Sequence, residues 1–120
     1  MRAILLAGGK GTRLRPLTDT IPKPLIPIDD KNLTEHVFEI LKKNGIFDIT
    51  LSLGYMAENI LGHFKKNNNH GVNLDFIVEQ EPMGTAGPLI LMKQKGNYPK
   101  EDFLMMNADN LFSLEMKKFI

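Results

Sequence analysis

The 120-residue chain contains no cysteine and no tryptophan. Without cysteine there is no disulfide framework and no thiolate-bound zinc, and the composition suits a reducing cytosol. Lopsided charge is missing too: 15 Lys and Arg stand against 14 Asp and Glu, a formal net charge of +1. No global field draws in nucleic acid or a membrane surface, so any affinity for anions must come from local placement. Long apolar runs are also lacking. The run over residues 3–7 stops at Gly8 and meets Lys10, Arg13 and Arg15, which leaves no signal-peptide core of ~7–15 residues. Nothing approaches the ~20 apolar residues of a membrane span. The expectation is a soluble, cytoplasmic protein with neither nucleic-acid nor membrane partners.

What is present is ordinary globular material, 42% hydrophobic and 24% charged, enough for one domain with one modest core. Four segments read as buried strands: AILLA (3–7), DITLSLGY (48–55), LDFIVEQ (74–80) and DFLMMNAD (102–109). The first and last are continuous apolar runs, the pattern of strands covered on both faces. Helical periods lie between them. Leu33, Val37, Ile40 and Leu41 follow i, i+4, i+7, i+8, with Asn44 and Gly45 as the left-handed stop. Met56, Ile60 and Phe64 repeat the spacing. A third, shorter helix is predicted from near Thr85 or Gly87, with Pro88 in its first turn. This alternation implies βαβ units and a parallel sheet. The closing LFSLEMKKFI starts a further helix, and a strand as apolar as 103–106 expects neighbours on both sides. Residues 1–120 are therefore expected to form the front part of a longer protein.

The first strand empties into a loop that is nearly free of side chains and yet positively charged. Gly8, Gly9 and Gly11 let the main chain turn sharply and bring N–H groups close to an anion. Thr12 offers a hydroxyl and Arg13 a planar fork for phosphate oxygens. By themselves three glycines also suit a plain tight turn. The spacing excludes a Walker loop, because the lysine precedes Gly11 and no Ser or Thr follows it. It excludes a dinucleotide fingerprint as well, since Leu14 stands where the third glycine belongs. Ten residues after Arg13 comes Pro22-Lys23-Pro24. Two prolines hold Lys23 on an extended segment and lower the entropy cost of aiming its ammonium; alone, the tripeptide equally reads as a linker. Together, Arg13 and Lys23 can place two cations around one triphosphate, as phosphoryl-type chemistry requires.

At these residues the chain resembles a known family. LLAGGKGTRLRPLTDTIPKPLIPI, then EPMGTAGPL (81–89) and MNADNLF (106–112), are similar in wording, order and approximate spacing to the sugar-phosphate nucleotidylyltransferases. These enzymes join a nucleoside triphosphate to a sugar 1-phosphate and release pyrophosphate. The resemblance implies a Rossmann-like three-layer α/β/α sandwich with a mainly parallel sheet, of the nucleotide-diphospho-sugar transferase type, incomplete at residue 120. It implies that the backbone of Leu6, Ala7, Gly8 and Gly9 lines the nucleotide, with Gly11, Thr12 and Arg13 around the phosphates. Lys23 would bridge the α-phosphate and the incoming sugar phosphate. Asp109 would hold Mg²⁺, although an aspartate there also suits a helix N-cap. The family has glycine before that aspartate where this chain has Ala108, one extra methyl beside the sugar or metal. A second metal-binding aspartate and most of the sugar pocket are expected further downstream.

In the family the base is read by a side chain five residues before the glycine of the central motif, here Glu79 counted from Gly84, and by main chain around Gly84 and Thr85. A carboxylate accepts both N–H donors of guanine's Watson–Crick edge and repels the carbonyls of thymine and uracil. The expectation is therefore GTP and mannose 1-phosphate, closest in wording to mannose-1-phosphate guanylyltransferases. Glu79 as a surface acid at a strand end stays open, as do a glucose-1-phosphate thymidylyl- or uridylyltransferase, a non-catalytic nucleotide-binding or regulatory module, a truncated product without function, and assembly into a homo-oligomer. His36, His63 and His70 are too scattered for a metal cluster and are expected on solvated faces. The paired lysines at 42–43, 65–66 and 117–118 read as polar helix faces. Met105, Met106 and Met116 read as core filler.

Overall fold

The structure, a computed structural model, describes residues 1–9, 16, 19–66, 71–81, 84 and 86–108. Strand β1 (Arg2–Ala7) is followed by a short hairpin of β2 (Pro27–Ile28) and β3 (Lys31–Asn32), then helix α1 (Leu33–Lys43). Strand β4 (Asp48–Leu53), helix α2 (Ala57–Lys66), β5 (Asn73–Val78), α3 (Gly87–Lys95) and β6 (Phe103–Asn107) complete the order. The main sheet is ordered β5-β4-β1-β6 and every pairing in it is parallel. The chain steps from β1 outward to β4 and β5, then returns across the sheet to lay β6 on the other side of β1. In open α/β sheets that reversal leaves a crevice at the carboxyl ends of the two strands that flank it, here β1 and β6, where ligands bind.

Alternation along the strands sorts the core into two layers. Ala3, Leu5 and Ala7 of β1 and Ile49, Leu51 and Leu53 of β4 pack with Val37, Phe38 and Leu41 of α1 and Ile60 and Phe64 of α2. The Phe38 and Phe64 rings lie 5.2 Å apart at 39°. On the other face, Ile4 and Ile77 pack with Met92 of α3, flanked by the half-buried Leu89, Leu91, Phe103 and Met105. Helices thus cover both faces, the three-layer arrangement the sequence implies.

The predicted strands and helices form, each within a residue or two of the expected ends, except where local chemistry intervenes. Met56 does not open α2. Its φ of 53° is left-handed, and the helix starts at Ala57. Lys23 is not extended. Pro22 is (φ −64°, ψ 144°), but Lys23–Leu25 forms a 3-10 turn. Pro24 tolerates this because it has no N–H to place and its fixed φ suits a first helical turn. Leu25 N–H donates to Pro22 O at 2.9 Å and Ile26 N–H to Lys23 O at 3.1 Å, closing the turn. The hairpin was not anticipated: two consecutive aspartates turn it, with Asp29 at φ 57°, a conformation Asp tolerates. The lysine of β3 donates to Asp30 at 3.2 Å, and that hydrogen bond, helped by the charge, holds the Asp30 carboxyl below its usual range. The helix expected in LFSLEMKKFI lies outside the described residues.

Candidate functional site

A cleft of about 300 Å³ opens at the carboxyl ends of β1 and β6, the reversal point of the strand order. Leu6, Ala7, Gly8 and Gly9 form one wall, Lys23, Pro24 and Leu33 a second, and Asn107 and Ala108 a third. The β1 wall is hydrogen-bonded to both neighbouring segments where it leaves the sheet. Ala108 N–H donates to Leu6 O at 3.0 Å, extending the β1–β6 pairing past the last strand residue. Tyr55 N–H donates to Gly8 O at 3.3 Å, so the loop after β4 props the loop after β1. That contact needs Gly54. A Cβ built there would stand 3.0 Å from Gly8 O and 3.4 Å from Gly8 Cα, tighter than backbone permits without movement.

The Lys23 wall is tied to α1. Leu33 N–H donates to Ile26 O at 3.0 Å, joining the helix start to the residue that closes the Lys23 turn. Asn32 caps α1 in a reciprocal capping box: Glu35 N–H donates to Asn32 Oδ1 at 2.8 Å and Asn32 N–H to Glu35 Oε1 at 2.9 Å. His63 of α2 reaches the same group, with its Nε2 3.0 Å from Asn32 Nδ2 and 3.4 Å from Glu35 Oε2. His63 therefore does not stand on a solvated face; it links α2 to the cap that fixes the cleft wall. His36 likewise has a partner, the Ile28 carbonyl at 2.6 Å.

Among the predicted site residues, the structure brings Leu6, Ala7, Gly8, Gly9 and Lys23 to one cleft. Glu79 and Gly84 do not line it. Glu79 follows β5, two strands from β1 and about 10 Å away by strand spacing, at the same carboxyl edge. It is half-buried, its N–H donating to Leu53 O at 2.8 Å and its Oε1 accepting from Ser52 Oγ at 3.1 Å. Gly84 is exposed, with φ 76°, and its carbonyl accepts from Gly87 N–H at the start of α3. Gly11, Thr12, Arg13, Thr85 and Asp109 lie outside the described residues, as does His70. Pro24, Leu33 and Asn107 line the cleft and Gly54 packs behind Gly8 in its wall, four residues that the sequence reasoning missed. Of these only Gly54, a glycine directly after a strand, carries a local signal.

A glycine loop, a lysine and a strand end carrying an amide side chain, lining one cleft, can receive a polyanion. Among the described lining residues the one side-chain oxygen is that of Asn107, a hard donor of the kind magnesium accepts.

Comparison with known proteins shows the family. The nucleotidyl transferase family is matched over residues 2–120, and the chain belongs to it. It is 38% identical over 118 residues to a D-glycero-alpha-D-manno-heptose 1-phosphate guanylyltransferase of Campylobacter jejuni, covering 98% of this chain and 52% of that protein. It is 40% identical over 119 residues to a mannose-1-phosphate guanyltransferase of Saccharomyces cerevisiae, covering 98% of this chain and 33% of that one. The crystal structure of HddC from Yersinia pseudotuberculosis complexed with GMP-PN superposes with a TM-score of 0.82 at 37% identity, covering 98% of this chain and 52% of that chain. The chain thus spans between a third and about half the length of these relatives. No helix among the described residues is long and apolar enough to cross a membrane.

Proposed function

We propose that this chain is the nucleotide-binding part of an enzyme that transfers a nucleoside monophosphate from GTP to mannose 1-phosphate, giving nucleotide-sugar and pyrophosphate. The observation that carries this reading is that Lys23 and the Gly8–Gly9 segment line one cleft at the strand-order reversal. An oxygen of the sugar phosphate attacks the α-phosphorus in line. A new P–O bond forms as the bond to the β-phosphate oxygen breaks, and pyrophosphate leaves. Negative charge builds on the α-phosphoryl oxygens during this exchange, and a preorganised ammonium at Lys23 lowers its energy. Arg13 would hold the triphosphate and then the leaving pyrophosphate. Asp109, whose neighbour Ala108 lines the cleft, would hold Mg²⁺ with Asn107 close by; the ion would supply further charge neutralisation on the phosphates.

Glu79, at the same edge but two strands away, lies at the scale of a nucleoside from the phosphate loop and would read the base. Its carboxylate takes guanine's paired N–H donors. The two relatives described are guanylyltransferases acting on manno-configured sugar 1-phosphates by name, which supports both GTP and the sugar class. The reading includes a cytoplasmic setting, which a chain without cysteine suits. The test is pyrophosphate release by the protein containing this chain, with GTP, ATP, CTP, UTP and dTTP against mannose, manno-heptose and glucose 1-phosphates. Fastest release with GTP and mannose 1-phosphate is expected. Faster release with dTTP or UTP and glucose 1-phosphate would overturn the base and sugar assignment.

A further inference from the structure

We infer that Ser52 is a specificity-positioning residue, its buried hydroxyl holding the Glu79 carboxylate in the orientation that takes the two N–H donors of a guanine edge. The inference rests on the reading of Glu79 as the base-recognising group. Ser52 is 1% exposed and sits on the α3 face of β4, in register with Leu6 on one side and Ile77 on the other. Leu6 lines the cleft. A serine at the centre of a parallel sheet contributes little to packing, and a buried hydroxyl is costly unless it is bonded. This one donates to Glu79 Oε1 at 3.1 Å, across 27 residues of sequence.

The geometry fixes Glu79 at both ends. Its backbone is held by the 2.8 Å bond from its N–H to Leu53 O, which extends the β4–β5 pairing one residue past the strand. Its carboxylate is held by Ser52. A glutamate held only by its backbone spreads over several rotamers, and selecting one on binding costs free energy that reduces discrimination. A hydroxyl has a single O–H to give. An ionised carboxylate has several acceptor sites over its two oxygens, so Glu79 can accept from Ser52 and also from N–H donors of a ligand. Guanine presents two parallel donors to such a carboxylate; hypoxanthine, which lacks the 2-amino group, presents one.

The experiment compares kcat/KM for GTP and ITP in the protein containing this chain, with Ser52→Ala, Ser52→Thr, Ser52→Val and Glu79→Gln. Loss of the hydroxyl in Ser52→Ala is expected to lower the GTP-to-ITP ratio about tenfold, the worth of one well-placed hydrogen bond. Ser52→Thr keeps the donor and should keep the ratio. A purely structural effect would lower both substrates together and leave the ratio unchanged. Should Ser52→Ala fold poorly, Ser52→Thr and Ser52→Val still decide, since they share a shape and differ in the hydroxyl. An unchanged ratio in Ser52→Ala or Ser52→Val, with the ratio collapsed in Glu79→Gln, refutes the role of Ser52 and leaves base reading by Glu79 standing. An unchanged ratio in Glu79→Gln removes both.

Discussion

The layer beneath α1 and α2 and the carboxyl rim of the same strands are built from opposite materials. Beneath the helices, Ala3, Leu5, Leu51, Leu53, Phe38 and Phe64 are buried and apolar. A few residues further along the same strands the chain turns to Gly8, Gly9 and Gly54, with Lys23 and Asn107 nearby. The first region gains free energy from burial. The second gives up side-chain packing and leaves backbone groups and a lysine lining a cleft. β1 belongs to both: its apolar stretch holds the fold, and its last residues deliver the loop. A cleft at a strand end can therefore change its lining with little cost to the core.

The sharpest test of that division is Phe38→Ala. It is expected to cost about 3–5 kcal/mol of stability, read by urea denaturation, while base preference in the surviving folded protein is unchanged. A shift in base preference would break the comparison. Lys23→Ala is the converse: turnover should fall about 10²–10³-fold in the pyrophosphate assay, with the unfolding midpoint nearly unmoved. Gly54→Ala sits on the boundary. Its methyl must push against Gly8 O, and nucleotide affinity measured by calorimetry should weaken by about tenfold, or about 1.4 kcal/mol, more than stability falls. Smallest is Asn32→Ala, which removes the α1 cap and should cost about 1 kcal/mol of stability. Because that cap also steadies the Lys23 wall, a small rise in KM without a fall in kcat would show how far the wall depends on the helix.

The elements were legible to the extent that their signals are local. Continuous apolar runs marked the strands, and Val37, Ile40 and Leu41 marked α1 at helical spacing. The Gly45 stop was readable because its cause, a left-handed residue at the helix end, is written in one residue. Lys23 was misjudged as extended because the two prolines permit either conformation. Hydrogen bonds within the turn decided it, together with the tie from Leu33 to Ile26. Met56 fitted the apolar period of α2, yet periodicity does not report that the loop before a helix must turn through a left-handed φ.

By itself the sequence determined the alternation of strands and helices, the glycine loop, the resemblance carried by its motifs, and the residue types offered to a polyphosphate. Burial periodicity and turn chemistry act over a few neighbouring residues, so a chain read linearly exposes them. Only the tertiary structure decided that Gly54 faces Gly8, that Ser52 bonds Glu79, and that His63 joins the Asn32 cap. Those contacts span tens of residues, and which partners meet is set by strand order and register, where a slip of one residue would turn every side chain to the other face.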